Sequence, residues 1–201
     1  MAVLIQILKG AEIRPYVHVL AEMRMREFYN FPYLYVGNTE EEIQFSAGYP
    51  DEKDSILLLV FDDDRPVGLC SGIPFSSTME FIQEMKQHAH IQGVDLEEAY
   101  YLGEIIIEKE HRKMGTVFKA GKQFFDEVQK MGYKTIAGIT AIRPEDHPLR
   151  PQDYRDTDKI WPRMGFQKTS AILSFDYSTR QADGSIRSQE NPMALWIKKI
   201  D

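Results

Sequence analysis

The chain has 201 residues, a formal net charge of −7 and a hydrophobic content of 43%. This content is too high for a disordered chain, and the length predicts one domain over residues 1–201. The longest apolar run, residues 56–61, is far shorter than the ~18 residues of a membrane-spanning helix. The single cysteine, Cys70, excludes an internal disulfide and a thiolate metal cluster. We therefore expect a cytoplasmic protein that does not act at a membrane.

The negative net charge limits the classes of partner that the protein can bind. Duplex binding relies on Lys and Arg side chains that neutralise phosphates, so a net charge of −7 argues against nucleic acid as the main partner. The first residues carry no basic segment ahead of their apolar stretch, and we expect no secretory signal.

Hydrophobic periodicity predicts the elements of the first half of the chain. Alternation predicts a strand at residues 3–7, and helical spacing predicts a helix over residues 13–28. Asn38 and the three glutamates after it predict the N-cap and acidic first turn of a second helix, which ends before Gly48. Residues 55–61 and 66–74 predict a hairpin. Its triple-Asp turn lacks the ligand spacing of a calcium loop.

The second half continues the alternation of strands and helices. Residues 79–99 are polar and weakly helical, and residues 99–107 predict a buried strand that contains one carboxylate, Glu104. An apolar stripe over residues 117–131 predicts a helix that stops at Gly132. Residues 134–140 predict a strand, followed by a proline-rich loop and a short helix ending near Gly165. Residues 166–177 and 193–200 predict two closing strands joined by a polar stretch, residues 178–192.

The turn between the Glu104 strand and the next helix is the most informative segment. A strand that enters a helix through Gly115 exposes unpaired backbone N–H groups at the positive end of the helix dipole, which favours an anion. Residues 108–134 contain seven cations and four anions, a net of +3 that leaves −10 for the rest of the chain. A solvated helix face with Lys and Glu pairs is the alternative interpretation.

Two nucleotide-binding motifs do not match the sequence of this turn. Five residues separate Gly115 from Gly121 where a Walker A loop has four, and Gln123 stands where that loop has Ser or Thr. A dinucleotide-binding turn needs three glycines at fixed spacing, and this turn has one.

The turn resembles the signature of the GNAT family of N-acetyltransferases, in which a strand ends in Val or Ile and is followed by Arg or Gln-x-x-Gly-x-Gly or Ala. Ile107, Arg112 and Gly115 match this pattern, and Val117 departs from its last position. Residues 161–166, Trp-Pro-Arg-Met-Gly-Phe, resemble the family's Tyr-x-x-x-Gly-Phe segment. The resemblance covers nearly the whole chain. It implies a mixed α/β (α+β) fold with a central, mostly antiparallel sheet splayed between its fourth and fifth strands.

The resemblance implies acetyl-CoA as co-substrate. We expect no metal, because His147 has no second His or Cys at ligand spacing. The pyrophosphate would rest on backbone amides of the turn, and the pantetheine arm would pair with the strand backbone at Ile105 and Ile107. The turn consists of Arg112, Lys113, Met114, Gly115, Thr116 and Val117. A branched Val117 would bring its side chain close to the phosphate oxygens.

Two titratable residues are the catalytic candidates. Glu104, among apolar neighbours, is the candidate base for an amine that must lose its proton; a structural ion pair is the alternative. Trp161 occupies the position of the family's proton-donating Tyr, and an indole N–H is not a practical acid. Tyr154 is the candidate acid instead, and His147 is a second titratable group nearby; packing roles are the alternative for both.

The resulting hypothesis is an N-acetyltransferase that uses a primary amine of a small molecule or peptide in a ternary complex. The −10 background would favour a cationic amine, and residues 31–35, rich in aromatic side chains, would line its pocket or belong to the core. The sequence does not decide whether the protein forms a homodimer. The alternatives are a CoA-binding module without catalysis, an acyltransferase for a longer acyl group, and a structural or interaction protein.

Overall fold

The computed structural model describes residues 3–88, 95–112 and 115–200. Its strands are β1 (Leu4–Lys9), β2 (Ile56–Asp62), β3 (Arg65–Pro74), β4 (Ala99–Ile107), β5 (Thr135–Ala141), β6 (Gln167–Arg180) and β7 (Ile186–Lys199). Its α-helices are α1 (Val17–Phe28), α2 (Thr39–Ser46), α3 (Glu80–His88), α4 (Thr116–Lys130) and α5 (Thr157–Ile160). The strands form one sheet of order β1-β2-β3-β4-β5-β7-β6.

The sheet is antiparallel except between β4 and β5. These two strands pair only where residues 99–101 lie beside residues 135–137. Beyond that point β4 stays paired with β3 as far as Ile107, and β5 stays paired with β7 as far as Ala141. The two halves of the sheet therefore separate between β4 and β5, and this opening is called the splay here. It confirms the predicted fold.

Two apolar clusters cover the two faces of the sheet. Helices α1 and α3 pack on one face through Leu20, Met23 and Ile82. Helix α4 packs on the other through Phe124 and Val128 of its predicted stripe. Gly132, in the left-handed conformation at φ +91°, follows α4 as expected. The Glu40 N–H donates to the Asn38 side chain at 2.8 Å, which confirms the predicted N-cap of α2.

Two predicted boundaries are wrong. The first helix is shorter than predicted, because Gly10–Tyr16 forms a 3-10 turn that contains Pro15 before α1 begins. The predicted polar connection over residues 178–192 is mostly strand: β6 continues to Arg180 and β7 begins at Ile186. This part of the hairpin extends beyond β5, so it lacks the sheet neighbour that would require apolar residues.

The part of the β6–β7 hairpin that extends beyond β5 is called the hairpin arm here. It is held by the loop between α1 and α2. Val36 donates its N–H to the Ser178 carbonyl at 2.8 Å, and Arg180 donates its N–H to the Leu34 carbonyl at 2.9 Å. None of the described helices is both long and apolar enough to cross a membrane.

Candidate active site

A β-bulge in β4 determines where Glu104 points. Ser71 of β3 lies opposite Glu104 and Gly72 lies opposite Leu102, so Gly103 is an extra residue in the ladder. Tyr101 packs in the cluster on the α1 side, and Glu104 contacts Arg24 of α1. Strict alternation would place positions 101 and 104 on opposite faces. The bulge therefore turns the Glu104 carboxylate toward α1.

Glu104 belongs to a buried ionic cluster. Its carboxylate accepts hydrogen bonds from Arg24 Nη1 and from the Ser71 hydroxyl. Arg24 Nε donates to Glu42 Oε2 of α2 at 2.8 Å. The side chains of Arg24, Glu42 and Glu104 are 14%, 5% and 1% exposed. One guanidinium thus holds two carboxylates, and the cluster has a formal net charge of −1.

Aromatic side chains surround this cluster. The guanidinium carbon of Arg24 lies 4.3 Å from the ring centroid of Phe45 and 5.1 Å from that of Phe28. The Tyr49 hydroxyl lies 3.2 Å from the Ser71 hydroxyl, and burial raises the pKa of Tyr49. The cluster is therefore shielded from water on several sides, which strengthens its electrostatic interactions.

Sequence reasoning missed two members of this cluster. Arg24 comes one turn after the buried Leu20, so it lies on the apolar face of α1. Glu42 was predicted only as part of the acidic first turn of α2, and the structure shows that it is 4% exposed. The signal for Arg24 was a charged residue at an apolar helical position. That Glu104 acts as a base stays a prediction. The structure adds that its carboxylate is paired with Arg24.

The Gly115 turn has the geometry of an anion site. Gly115 precedes α4 with φ +73°, and within the described residues no side chain caps this helix start. The first turn of α4 contains no acidic residue. A Cβ built on Gly115 would meet nothing within 4 Å, so space for a ligand lies above the turn. The positive end of a helix dipole at such a glycine turn favours a phosphate.

The Arg112 side chain fixes this turn to the end of β4. Its Nε donates to the Ile107 carbonyl at 2.7 Å, and its Nη2 donates to Glu27 of α1 at 3.1 Å. The candidate residues Lys113 and Met114 lie outside the described residues. The contact of Arg112 with a cofactor stays a prediction.

The remaining cofactor candidates lie on the α4 side of the sheet. Val117, Ile105 and Ile107 pack in the α4-side cluster, and Thr116 is 3% exposed. From Leu102 onward β4 pairs with β3 on one edge, and no described strand pairs with its other edge. The free edge supplies the unpaired backbone groups to which an extended, amide-bearing ligand can bind.

Two glycine substitutions in this segment have opposite expected effects on stability. Gly115→Ala lowers the free energy of unfolding by roughly 1–2 kcal/mol, because an L-residue is strained at φ +73°. Gly121→Ala raises it by roughly 0.5–1 kcal/mol, because Gly121 lies within α4 and its added Cβ would make ordinary contacts at 3.5 Å or more. Urea unfolding measures both changes. A Gly115→Ala variant that is as stable as the unmodified chain, or more stable, would contradict a left-handed Gly115.

Trp161 lies beside the splay. A Cβ on Gly138 of β5 would lie 2.4 Å from the Trp161 ring, so glycine is required for this approach. The ring also packs on Phe166 and Trp196, at centroid distances of 4.6 and 5.8 Å. Trp161 therefore fills space at the base of the splay.

Tyr154 lies in the loop before α5. Its ring packs edge-on against Phe31 at 4.7 Å, and the Arg150 guanidinium lies 5.0 Å from its centroid. Burial raises the pKa of Tyr154, so its hydroxyl keeps its proton at neutral pH. Within the described residues no hydrogen bond or ring contact joins Tyr154 to Glu104. Its role as proton donor stays a prediction.

Arg143 anchors the aromatic loop between α1 and α2. Its guanidinium donates to the carbonyls of Pro32 and Tyr33 at 2.9 and 3.1 Å, and to Asn191 Oδ1 at 2.6 Å. Phe31 and Leu34 of this loop are buried. Part of the loop therefore belongs to the core, and part of it packs beside the hairpin arm. His147 packs on Phe31, and burial lowers its pKa.

One group of side chains has the composition of a metal site. Glu108, Glu110 and His111 offer ligand atoms within 4.8 Å of one another. Glu108 already accepts from Arg65 at 2.8 Å and from Arg26 at 3.1 Å. These two guanidinium groups neutralise the charge that would hold a cation, and we assign no metal here.

Comparison with known proteins identifies the fold. No family model matches the sequence, and no curated protein is detectably similar to it. Among solved structures, a candidate GNAT acetyltransferase from Desulfovibrio desulfuricans superposes with a TM-score of 0.60 at 13% identity, over all of both chains. The chain has the GNAT fold.

Other structures with the GNAT fold are similar at low sequence identity. The ribosomal-protein-S18-alanine N-acetyltransferase from Escherichia coli matches with a TM-score of 0.56 at 12% identity, over all of this chain and 95% of that one. A Salmonella typhimurium protein solved with its cofactor acetyl-CoA matches with a TM-score of 0.58 at 9% identity, over the same shares of the two chains. The similarity covers the whole of this chain.

Proposed function

We propose that the protein is an acetyl-CoA-dependent N-acetyltransferase that acts on a primary amine by direct attack in a ternary complex. The observation that carries the proposal is the free edge of β4, which leads from the splay to the uncapped start of α4 at Gly115. An extended molecule with amides at one end and phosphates further along fits this arrangement. The similarity to an acetyl-CoA-bound structure supports the same ligand.

The residues present fit acetyl-CoA. Its thioester supplies an activated acetyl group when it is bound. The backbone amides of the Gly115 turn bind its pyrophosphate, and the open space above Gly115 admits it. The backbone of Ile105 and Ile107 binds its amide-bearing arm along the free edge of β4. The Val117 side chain is partly buried and packs against the α4-side cluster.

The acceptor amine loses a proton when it attacks. Glu104 receives that proton in our proposal, either directly or through a water molecule. The buried cluster of Arg24, Glu42 and Glu104 has a net charge of −1, and the charge of the chain outside residues 108–134 is −10. A negative formal charge at the cluster, in an acidic chain, favours a cationic acceptor. Tyr154, which keeps its proton at neutral pH, is the proposed donor to the departing thiolate.

A CoA-binding module without catalysis is the second candidate. Both oxygens of Glu104 already accept hydrogen bonds, from Arg24 and Ser71, and Trp161 stands where the family has a proton-donating Tyr. This candidate predicts acetyl-CoA binding without turnover on any amine. Turnover assays with polyamines, aminoglycosides and lysine-bearing peptides distinguish it from the enzyme.

Calorimetric titration and thermal unfolding with acetyl-CoA test the proposal. Ligand at 100 times its Kd stabilises the folded state by about 2.7 kcal/mol. We therefore expect a rise in Tm with acetyl-CoA. An unchanged Tm at millimolar acetyl-CoA would reject both the enzyme and the CoA-binding module.

A further inference from the structure

Trp161 lies at the closed end of the splay, where β4 and β5 begin to separate. The pairing of the two strands ends at Tyr101 and Ala137. Leu102 and Gly138 are the first residues beyond this pairing. A Cβ on Gly138 would lie 2.4 Å from the Trp161 ring and 3.3 Å from the Leu102 carbonyl oxygen. The ring is therefore placed against the point at which the strands diverge.

The Trp161 ring lies on the α4 face of the sheet. Leu102 and Trp196 belong to the α4-side cluster, and the partly buried Trp161 packs against that cluster. The Glu104 carboxylate points to the other face, where it contacts Arg24 of α1. Trp161 thus bounds the splay from the face opposite the proposed base.

The ring is fixed by its neighbours. Its centroid lies 4.6 Å from that of Phe166 and 5.8 Å from that of Trp196. Trp196 is held in turn, because its indole N–H donates to the Thr140 hydroxyl at 2.9 Å. A group that enters the same space must push a packed ring out of its position, which costs free energy.

The free edge of β4 fixes the orientation of an acyl-CoA molecule. In the proposed complex the phosphates lie at the Gly115 turn, which comes after the end of β4 at Ile107. From Ile107 back to Leu102 the edge spans about 17 Å, at about 3.3 Å per residue. The acyl group is the end of the molecule farthest from the phosphates. It is therefore directed toward the closed end of the splay and toward Trp161.

We propose that Trp161 limits the acyl group of the co-substrate to acetyl. The inference rests on the proposed function and adds to it a residue that determines acyl-group specificity. A chain longer than acetyl meets the indole at the closed end of the splay and has to displace it. Trp161 thus contributes bulk at the position where the family has a proton-donating Tyr.

Calorimetric titration of the full chain with acetyl-CoA and with butyryl-CoA tests this inference. The unmodified chain binds acetyl-CoA at least about ten-fold more tightly, since extra methylenes change the affinity of a closed pocket by about that factor or more. Trp161→Phe keeps an aromatic ring beside Phe166 but removes part of the bulk. It lowers the preference for acetyl-CoA by about ten-fold. Trp161→Tyr is a second variant with the same expected direction.

Trp196→Phe is the matched control. It makes the same chemical change in the same group of aromatic rings, and it also removes the hydrogen bond to Thr140. Trp196 lies on β7, which β5 separates from β4. We expect this variant to have a lower Tm but to keep the preference for acetyl-CoA. Thermal unfolding verifies that every variant is folded.

Two results would overturn this inference alone, because acetyl-CoA still binds in both. One is binding of butyryl-CoA by the unmodified chain as tight as that of acetyl-CoA. The other is an unchanged preference in the folded Trp161→Phe and Trp161→Tyr variants, which would give Trp161 a purely structural role. Failure of acetyl-CoA to bind at millimolar concentration would instead reject the proposed function, and the inference with it.

Discussion

Arg24→Met lowers the free energy of unfolding by about 3–5 kcal/mol, because it leaves two buried carboxylates without their shared cation. Glu42 and Glu104 are 5% and 1% exposed in their side chains, so water cannot replace the guanidinium. The substitution also removes the contacts of Arg24 with the Phe45 and Phe28 rings. Urea unfolding at neutral pH measures the change.

A matched control separates burial from the loss of an arginine. Arg14 also forms a 2.8 Å salt bridge, to Asp51, but both side chains are more than 60% exposed. Arg14→Met therefore costs about 0–1 kcal/mol. Adding Glu42→Gln and Glu104→Gln to Arg24→Met recovers part of the lost stability, since no unpaired charge remains. Equal effects of Arg24→Met and Arg14→Met would contradict the buried cluster.

Glu104→Gln lowers kcat by about 10²–10⁴-fold if Glu104 is the base, because general base catalysis contributes a factor of that size. The Kd for acetyl-CoA stays nearly unchanged, since the proposed cofactor contacts use the backbone of β4 and the Gly115 turn. Steady-state kinetics with an amine found in the acceptor screen, together with calorimetry, measure the two quantities.

Glu42→Gln is the control for this substitution. It makes the same chemical change on the same guanidinium, but Glu42 lies on α2 and not on the strand beside the splay. We expect kcat to fall much less than with Glu104→Gln. Equal losses would indicate that both carboxylates serve the ionic cluster. An unchanged kcat in Glu104→Gln at every pH would remove Glu104 from the mechanism.

Local patterns predicted most of the fold. The apolar stripe of α4, the stop at Gly132 and the N-cap Asn38 each depend on neighbours within a few residues. The hairpin arm was missed, because its residues extend beyond β5 and are free to be polar. Pairing with a distant strand leaves no periodic apolar signal in such a segment.

The candidate site was predicted less completely. Gly115 and Arg112 could be proposed because the turn is contiguous in sequence, and Gly115 has a φ of +73°. The Arg24 contact with Glu104 joins residues 80 positions apart, and it depends on the extra residue Gly103 in β4. The sequence shows a carboxylate among apolar residues, but it does not show which face of the sheet that carboxylate occupies.

Sequence alone determined the order of elements, the glycine-led start of α4 and the positive charge concentrated around it. These properties are local, since they follow from periodicity, from backbone freedom and from counted charges. Tertiary structure decided that Glu104 is paired with Arg24, that Glu42 is buried, and that Trp161 lies against Gly138. Each of these depends on strand register and helix packing, which bring distant residues together.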